Sequence, residues 1–124
     1  MAAPNLVSLS TVTATVSTVS LTVNTVLSLV SNAAASATVC RIGAVYVANV
    51  NTTTAYTITI NYYSAAALGG TAFAIASTVS VAPNSTLLVV SRDACVYLVE
   101  NSSLGAIAST GNELICSVFY EVCS

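Results

Sequence analysis

Six side chains in the 124 residues carry a formal charge: Arg41, Arg92, Asp93, Glu100, Glu113 and Glu121. Histidine is absent. General acid and base catalysis draws on histidine, paired carboxylates or a lysine of lowered pKa. Here there is no lysine, and no two of the four acids sit close in sequence. Serine is abundant, but a serine nucleophile needs a base beside it. The sequence therefore predicts no catalytic residues, no cofactor-binding residues and no enzyme.

Four cysteines remain, Cys40, Cys95, Cys116 and Cys123. Their intervals of 55, 21 and 7 residues contain no C-x-x-C pair. Without histidine a tetrahedral zinc site would have to take all four sulfurs, so no metal site is expected. A reactive thiol needs a cation or a helix N-terminus beside it, which singles out Cys40 next to Arg41. Four cysteines allow three disulfide pairings, and spacing does not choose among them. The first five residues, Met1 to Asn5, lack the basic and apolar regions of a secretory signal. The cysteines are accordingly read as small apolar fillers of a core in a chain made in the cytoplasm, with disulfides as the alternative.

Shorter motifs are weighed in the same way. Three N-x-S/T triplets start at Asn51, Asn84 and Asn101, and each falls where a turn is expected, so they are read as turns rather than glycan acceptors. Leu68-Gly69-Gly70-Thr71 is too short to cradle a phosphate and has no lysine after it. The tyrosines at 46, 56, 62, 63, 97 and 120 could stack on a sugar, but no tryptophan accompanies them, and packing is the reading preferred.

The scarcity of charge bears on the surface as much as on chemistry. A free monomer mixes charges over about a quarter to a third of its surface, whereas charged residues are 5% of this chain. Such a chain is expected to be covered by neighbours. Two arginines far apart in sequence offer no basic stripe for phosphates, so no nucleic-acid partner is expected. The most apolar stretch, 21 to 39, is interrupted by Asn24, Ser28, Ser31, Asn32, Ser36 and Thr38, and no membrane span is expected.

The elements that must position these residues read as strands. Residues 11–17, 18–24 and 25–31 repeat as TVTATVS, TVSLTVN and TVLSLVS, with valine at 12, 16, 19, 23, 26 and 30. Four-three spacing is that of a coiled-coil seam, yet the filling of Thr, Ser and Val opposes a helix. The repeat is read as extended strand with Val12, Ala14 and Val16, then Val19, Leu21 and Val23, then Val26, Ser28 and Val30 inward. An odd repeat then calls for a bulge or turn near Ser17, Asn24 and Ser31 to keep the facing. Residues 1–37 are expected to form an uncharged N-terminal arm, lying along an edge of its own body or of a neighbour. Residues 32–37 would be a connector, and 38–124 the body.

In the body, β-branched runs at 39–50, 56–62, 73–81, 86–90, 96–98, 104–109 and 114–122 alternate with turn residues. Seven or more short strands without a helix predict an all-β fold, a β-sandwich or jelly roll. Tyr56, Ile58, Ile60 and Tyr62 share one face. The expected interior is Ile42, Val45, Val47, Ile58, Ile60, Phe73, Ile75, Val79, Val81, Leu87, Val89, Leu98, Ile107, Leu114, Val118 and Tyr120. Residues 65–71 form the longest loop.

From residue 38 onward, five stretches carry a resemblance: IGAVYVAN at 42–49, YTITI at 56–60, TVSVAPNSTL at 78–87, VYLVENSSL at 96–104 and VFYEV at 118–122. Their order resembles small virion structural proteins of tailed bacteriophages, notably marine and cyanobacterial ones. Where those proteins usually carry a Gly-Asp turn after the Tyr-Leu pair, this chain has Asn101-Ser102, and the seven-residue repeat is not part of the resemblance. The resemblance implies a β-sandwich subunit of the virion without enzymatic role, bound to the major capsid protein or to neck and tail proteins. Charge scarcity and the arm fit a capsid decoration or cement subunit that forms a homo-oligomer such as a trimer. The alternatives are a neck, tail or fibre-attachment subunit, and a surface adhesin or carbohydrate-binding module supported by exposed tyrosines beside the 63–71 loop.

Overall fold

The computed structural model describes residues 6–94 and 96–124. Met1 to Asn5 and Cys95, with the readings made of them, lie outside the described residues. Among the described residues nine strands follow in chain order: β1 (Val12–Ser20), β2 (Leu27–Asn32), β3 (Val39–Asn49), β4 (Tyr56–Ala65), β5 (Gly69–Val81), β6 (Thr86–Val90), β7 (Val96–Leu98), β8 (Ser102–Ala108) and β9 (Leu114–Cys123). A 3-10 turn at Arg92–Ala94 precedes β7. One sheet runs β1-β9-β3-β6 with β7 also on β3, and the other runs β2-β8-β4-β5. Every pairing is antiparallel. The fold is an all-β sandwich.

The core lies between the sheets. Ile42, Val45 and Val47 of β3, with Leu114, Cys116 and Val118 of β9, meet Ile58 and Ile60 of β4 and Leu104 and Ala106 of β8. The β4 alternation falls as expected, with Tyr56 and Tyr62 packed against the same core. Of the expected interior, Leu87, Val89 and Tyr120 are half-buried at its margin. Phe73, Ile75 and Val79 are exposed instead, and Ile107 is half-buried outside the core cluster. Leu29 and Leu104, absent from the expected interior, are buried, while Leu21 and Val30 of the repeat and Cys116 are buried as expected.

Of the two placements expected for the N-terminal segment, the structure shows the first, along edges of its own body: residues 12–20 pair over nine positions with β9, and residues 27–32 pair with β8, so each sheet takes an edge strand from it. Leu21, Leu29 and Val30 enter the core, and the total accessible surface of 6073 Å² matches the ~6,200 Å² of a compact monomer of this mass. The facing of the first repeat is corrected. The β1 register passes Ser17 without a shift, so Val16 is exposed and Val19 packs on the core. A terminal strand tolerates valine on both faces, and the seven-residue period is not enforced by a bulge there. The chain does bend at 23–25, near Asn24, and β2 carries its bulge between Ser28 and Val30.

Two buried asparagines tie the layers together. The Asn32 amide, on β2, donates to the carbonyls of Thr38 (2.9 Å) and of Leu98 in the other sheet (3.0 Å). Its oxygen accepts from the Ser36 and Thr38 hydroxyls, which turns the expected connector into an ordered turn. The Asn49 amide, on β3, donates to Thr54 and, across the layers, to the Val81 carbonyl at 2.9 Å. Apolar strands alone would slide past one another. These directional bonds fix how one sheet sits on the other.

Candidate interaction surfaces

The described cysteines suspected of chemistry are disarmed by burial. Cys40 and Arg41 are neighbours on a strand, so their side chains leave on opposite faces. Cys40 points into the core, where burial raises its thiol pKa, and Arg41 faces outward with its Nε donating to Glu121 Oε1 at 3.0 Å. The suggestion of a cation-activated thiol is thereby corrected. Cys116 is fully buried, and desolvation pushes its pKa up to about 12. Cys40, Cys116 and Cys123 are free thiols. Among the described residues no group of three or more Cys, Asp or Glu could hold a metal ion. Among the described residues no helix is long and apolar enough to cross a membrane.

The turn motifs serve the scaffold. Asn51 Oδ1 accepts from the backbone N–H groups of Thr53 and Thr54. Asn101 Oδ1 accepts from Ala66 N–H, while the Ser31 and Ser103 hydroxyls accept from Ala67 and Leu68 N–H. Three side chains therefore pin the 66–68 turn. The expected long loop shortens to this hairpin turn because β4 continues to Ala65 and β5 begins at Gly69. Nor do the tyrosines make a sugar-stacking face beside it. Tyr63 is buried, Tyr62 lies tilted against Phe73 with ring centroids 6.5 Å apart, and Tyr46 and Tyr97 stand on the other sheet.

What the fold does leave open is apolar surface. On the outer face of the first sheet, Val16 of β1 stands opposite Phe119 of β9, and Phe119 meets Tyr46 of β3 edge-on at 6.0 Å. Tyr46 is in register with Leu88 of β6. These four exposed side chains form one stripe across four strands. Scattered exposed hydrophobics are ordinary, but a contiguous, polar-rimmed patch marks an interaction site. Its rim holds the Arg41–Glu121 pair, with each side chain about a third exposed.

Two of the terminal strands, β1 and β5, differ in how they end their sheets. β1 is nine residues of Val, Thr, Ala and Ser in unbroken register, with no charge and no proline, and it pairs only with β9 among the described residues. It lacks the devices that usually blunt an edge. β5 has one such device in triplicate. Its register against β4 shifts three times, and Thr78 is held at φ +49° with its N–H bonded to Thr59 Oγ1. Bulges spoil β5 as a template for a continuous ladder, and Phe73 and Val79, opposite Tyr62 and Ile58, stand uncovered on the inward side.

Comparison with protein-family models, curated proteins and solved structures finds no match to this chain. The functional reading accordingly rests on the geometry and on the sequence.

Proposed function

We propose that this protein is a non-enzymatic structural subunit of a virion, a capsid decoration or cement protein that forms a homo-oligomer and stabilises the shell. The observation that carries the reading is β1, an uncharged and unbulged sheet edge continuous with the apolar stripe at Val16 and Phe119. An extended segment of a neighbour can add to that edge by main-chain hydrogen bonds while its side chains cover the stripe, the usual mode of strand addition. Burial of apolar surface supplies most of the affinity, at roughly 25 cal/mol per Å². The inward side of β5 offers a second contact, made by side-chain packing because its bulges interrupt the ladder. Removed from its neighbours, the subunit would expose both regions, consistent with a chain of only six charges.

The test is the copy number of the full-length chain in purified particles, measured by quantitative mass spectrometry against the major shell protein. A number comparable to the shell subunits is the expected result. A few copies would move the protein to the neck, tail or fibre attachment. Absence from particles would overturn the virion reading.

A further inference from the structure

The fold gathers charge at one place. Arg41 and Arg92 are the only cations of the chain, and both line a single cleft of about 240 Å³ on the outer face of the first sheet, with Tyr97 and Glu121. Register explains the meeting. Arg41 on β3 lies opposite Glu121 on β9 and opposite Tyr97 on β7, while Arg92 arrives from the 3-10 turn. Charges serving solubility alone would be spread over the surface, whereas three of the six are placed in this cleft. Two guanidinium charges against one carboxylate leave the cleft with one net positive charge. Arg41 gives Nε to Glu121, and a guanidinium has five N–H donors, so that bond leaves its Nη hydrogens uncommitted.

The cleft continues into an apolar depression of about 340 Å³ lined by Ala14, Val16 and Phe119, and the two share Gly43 and Glu121. Gly43 is the extra residue of a bulge between Ile42 and Ala44, and a Cβ there would stand 3.1 Å from the Phe119 carbonyl oxygen. Glycine therefore keeps the floor low where the two halves join. The result is one groove, cationic at one end and apolar at the other.

We propose that this groove binds a carboxylate on an aliphatic arm, as presented by an extended partner segment in which an acidic residue neighbours an aliphatic one. Arg92 and the Arg41 Nη atoms take the carboxylate, for which the planar guanidinium fork is suited. Val16 and Phe119 take the arm. A single anion neutralises the cleft, a cation is repelled by it, and a neutral group leaves Arg92 without a counter-charge. The inference rests on the outer sheet face being a docking face, but not on the partner being a virion protein, so probe binding and particle incorporation can fail separately.

Hexanoate is the probe, titrated into the full chain while the backbone amide resonances of Gly43, Tyr97 and Phe119 are followed, with acetate and hexylamine alongside. Saturable shifts are expected with hexanoate at a dissociation constant on the order of 10 mM or tighter, weaker ones with acetate, and none with hexylamine. Arg92 is exposed on a turn, so Arg92→Gln should fold normally and weaken hexanoate about tenfold or more, with Arg92→Lys retaining much of the binding. Equal binding of hexylamine, undiminished binding to Arg92→Gln, or no saturable shift with hexanoate would each overturn the proposal.

Discussion

β8 and β5 flank the same strand, β4, and draw on the same small residues, yet one is sealed and the other open. Six of the seven residues of β8 are buried, whereas β5 buries only Val81 of its thirteen. Composition does not separate them, since SSLGAIA and GGTAFAIASTVSV are both uncharged and rich in Ala, Ser and Gly. Position does. β8 lies between β2 and β4, whereas β5 ends its sheet, and across the sandwich the first sheet ends in the five-residue β6. A side chain of inward parity is buried only where a layer stands over it, and much of β5 has none.

The sharpest way to break this contrast is to truncate one side chain on each strand. Leu104→Ala removes a fully buried side chain of β8 and should cost about 2–5 kcal/mol by urea denaturation. Phe73→Ser on β5, where the ring is 55% exposed, should leave monomer stability within about 1 kcal/mol. Similar losses at the two sites would show that β5 is covered in the folded monomer.

Next in size is the bond between layers. Asn49→Ala takes the donor from the Val81 and Thr54 carbonyls, one of them at the end of β5. A buried carbonyl left unpaired costs about 1–3 kcal/mol, and the same denaturation series should show a loss of that order. An unchanged midpoint would mean the sheets are held by apolar packing alone. Gly105→Ala probes the sealed side from the outer face, where a Cβ would lie 2.6 Å from Leu68 Cδ2 and 2.8 Å from Val26 Cγ1. Overpacking should cost about 1–3 kcal/mol.

Alkali gives a graded readout. Cys116 has its thiol raised from 9.0 to about 12 by burial, and burial raises Cys40 in the same direction. The folded state therefore holds protons that the unfolded state releases. This stabilisation is fully present below pH 9 and is lost as pH rises through about 12, at about 1.4 kcal/mol per unit for Cys116. Thermal melts between pH 8 and 11 should show falling stability, with a shallower fall for Cys116→Ala. Equal slopes would show that burial of this thiol does not control the loss.

Much of the fold was legible because β-branched runs end at turn residues. The boundaries of β6 and β7 fall as expected, and β3 and β9 differ by a residue. Alternation names the face of a strand but not whether a layer covers it, which is why Phe73, Ile75 and Val79 read as interior from sequence. It fails again at β1, where an edge accepts valine on either side and the repeat imposes no register. Asn32 looked like part of a loose connector because nothing local reveals that Leu98, 66 residues away, needs its donor. The opposite facing of Cys40 and Arg41 was readable from strand geometry. The convergence of residues 41, 92, 97 and 121 was not, since it depends on β3 pairing with both β7 and β9.

Sedimentation equilibrium on the full chain, beside a Val12→Lys/Thr18→Lys variant, tests the central claim most directly. Both positions are exposed on β1, and a lysine on an edge opposes strand addition. The expected result is concentration-dependent self-association of the wild type, abolished in a variant with unchanged melting temperature. A wild type that stays monomeric, or a variant that associates as strongly, would contradict the reading of β1 as an assembly edge.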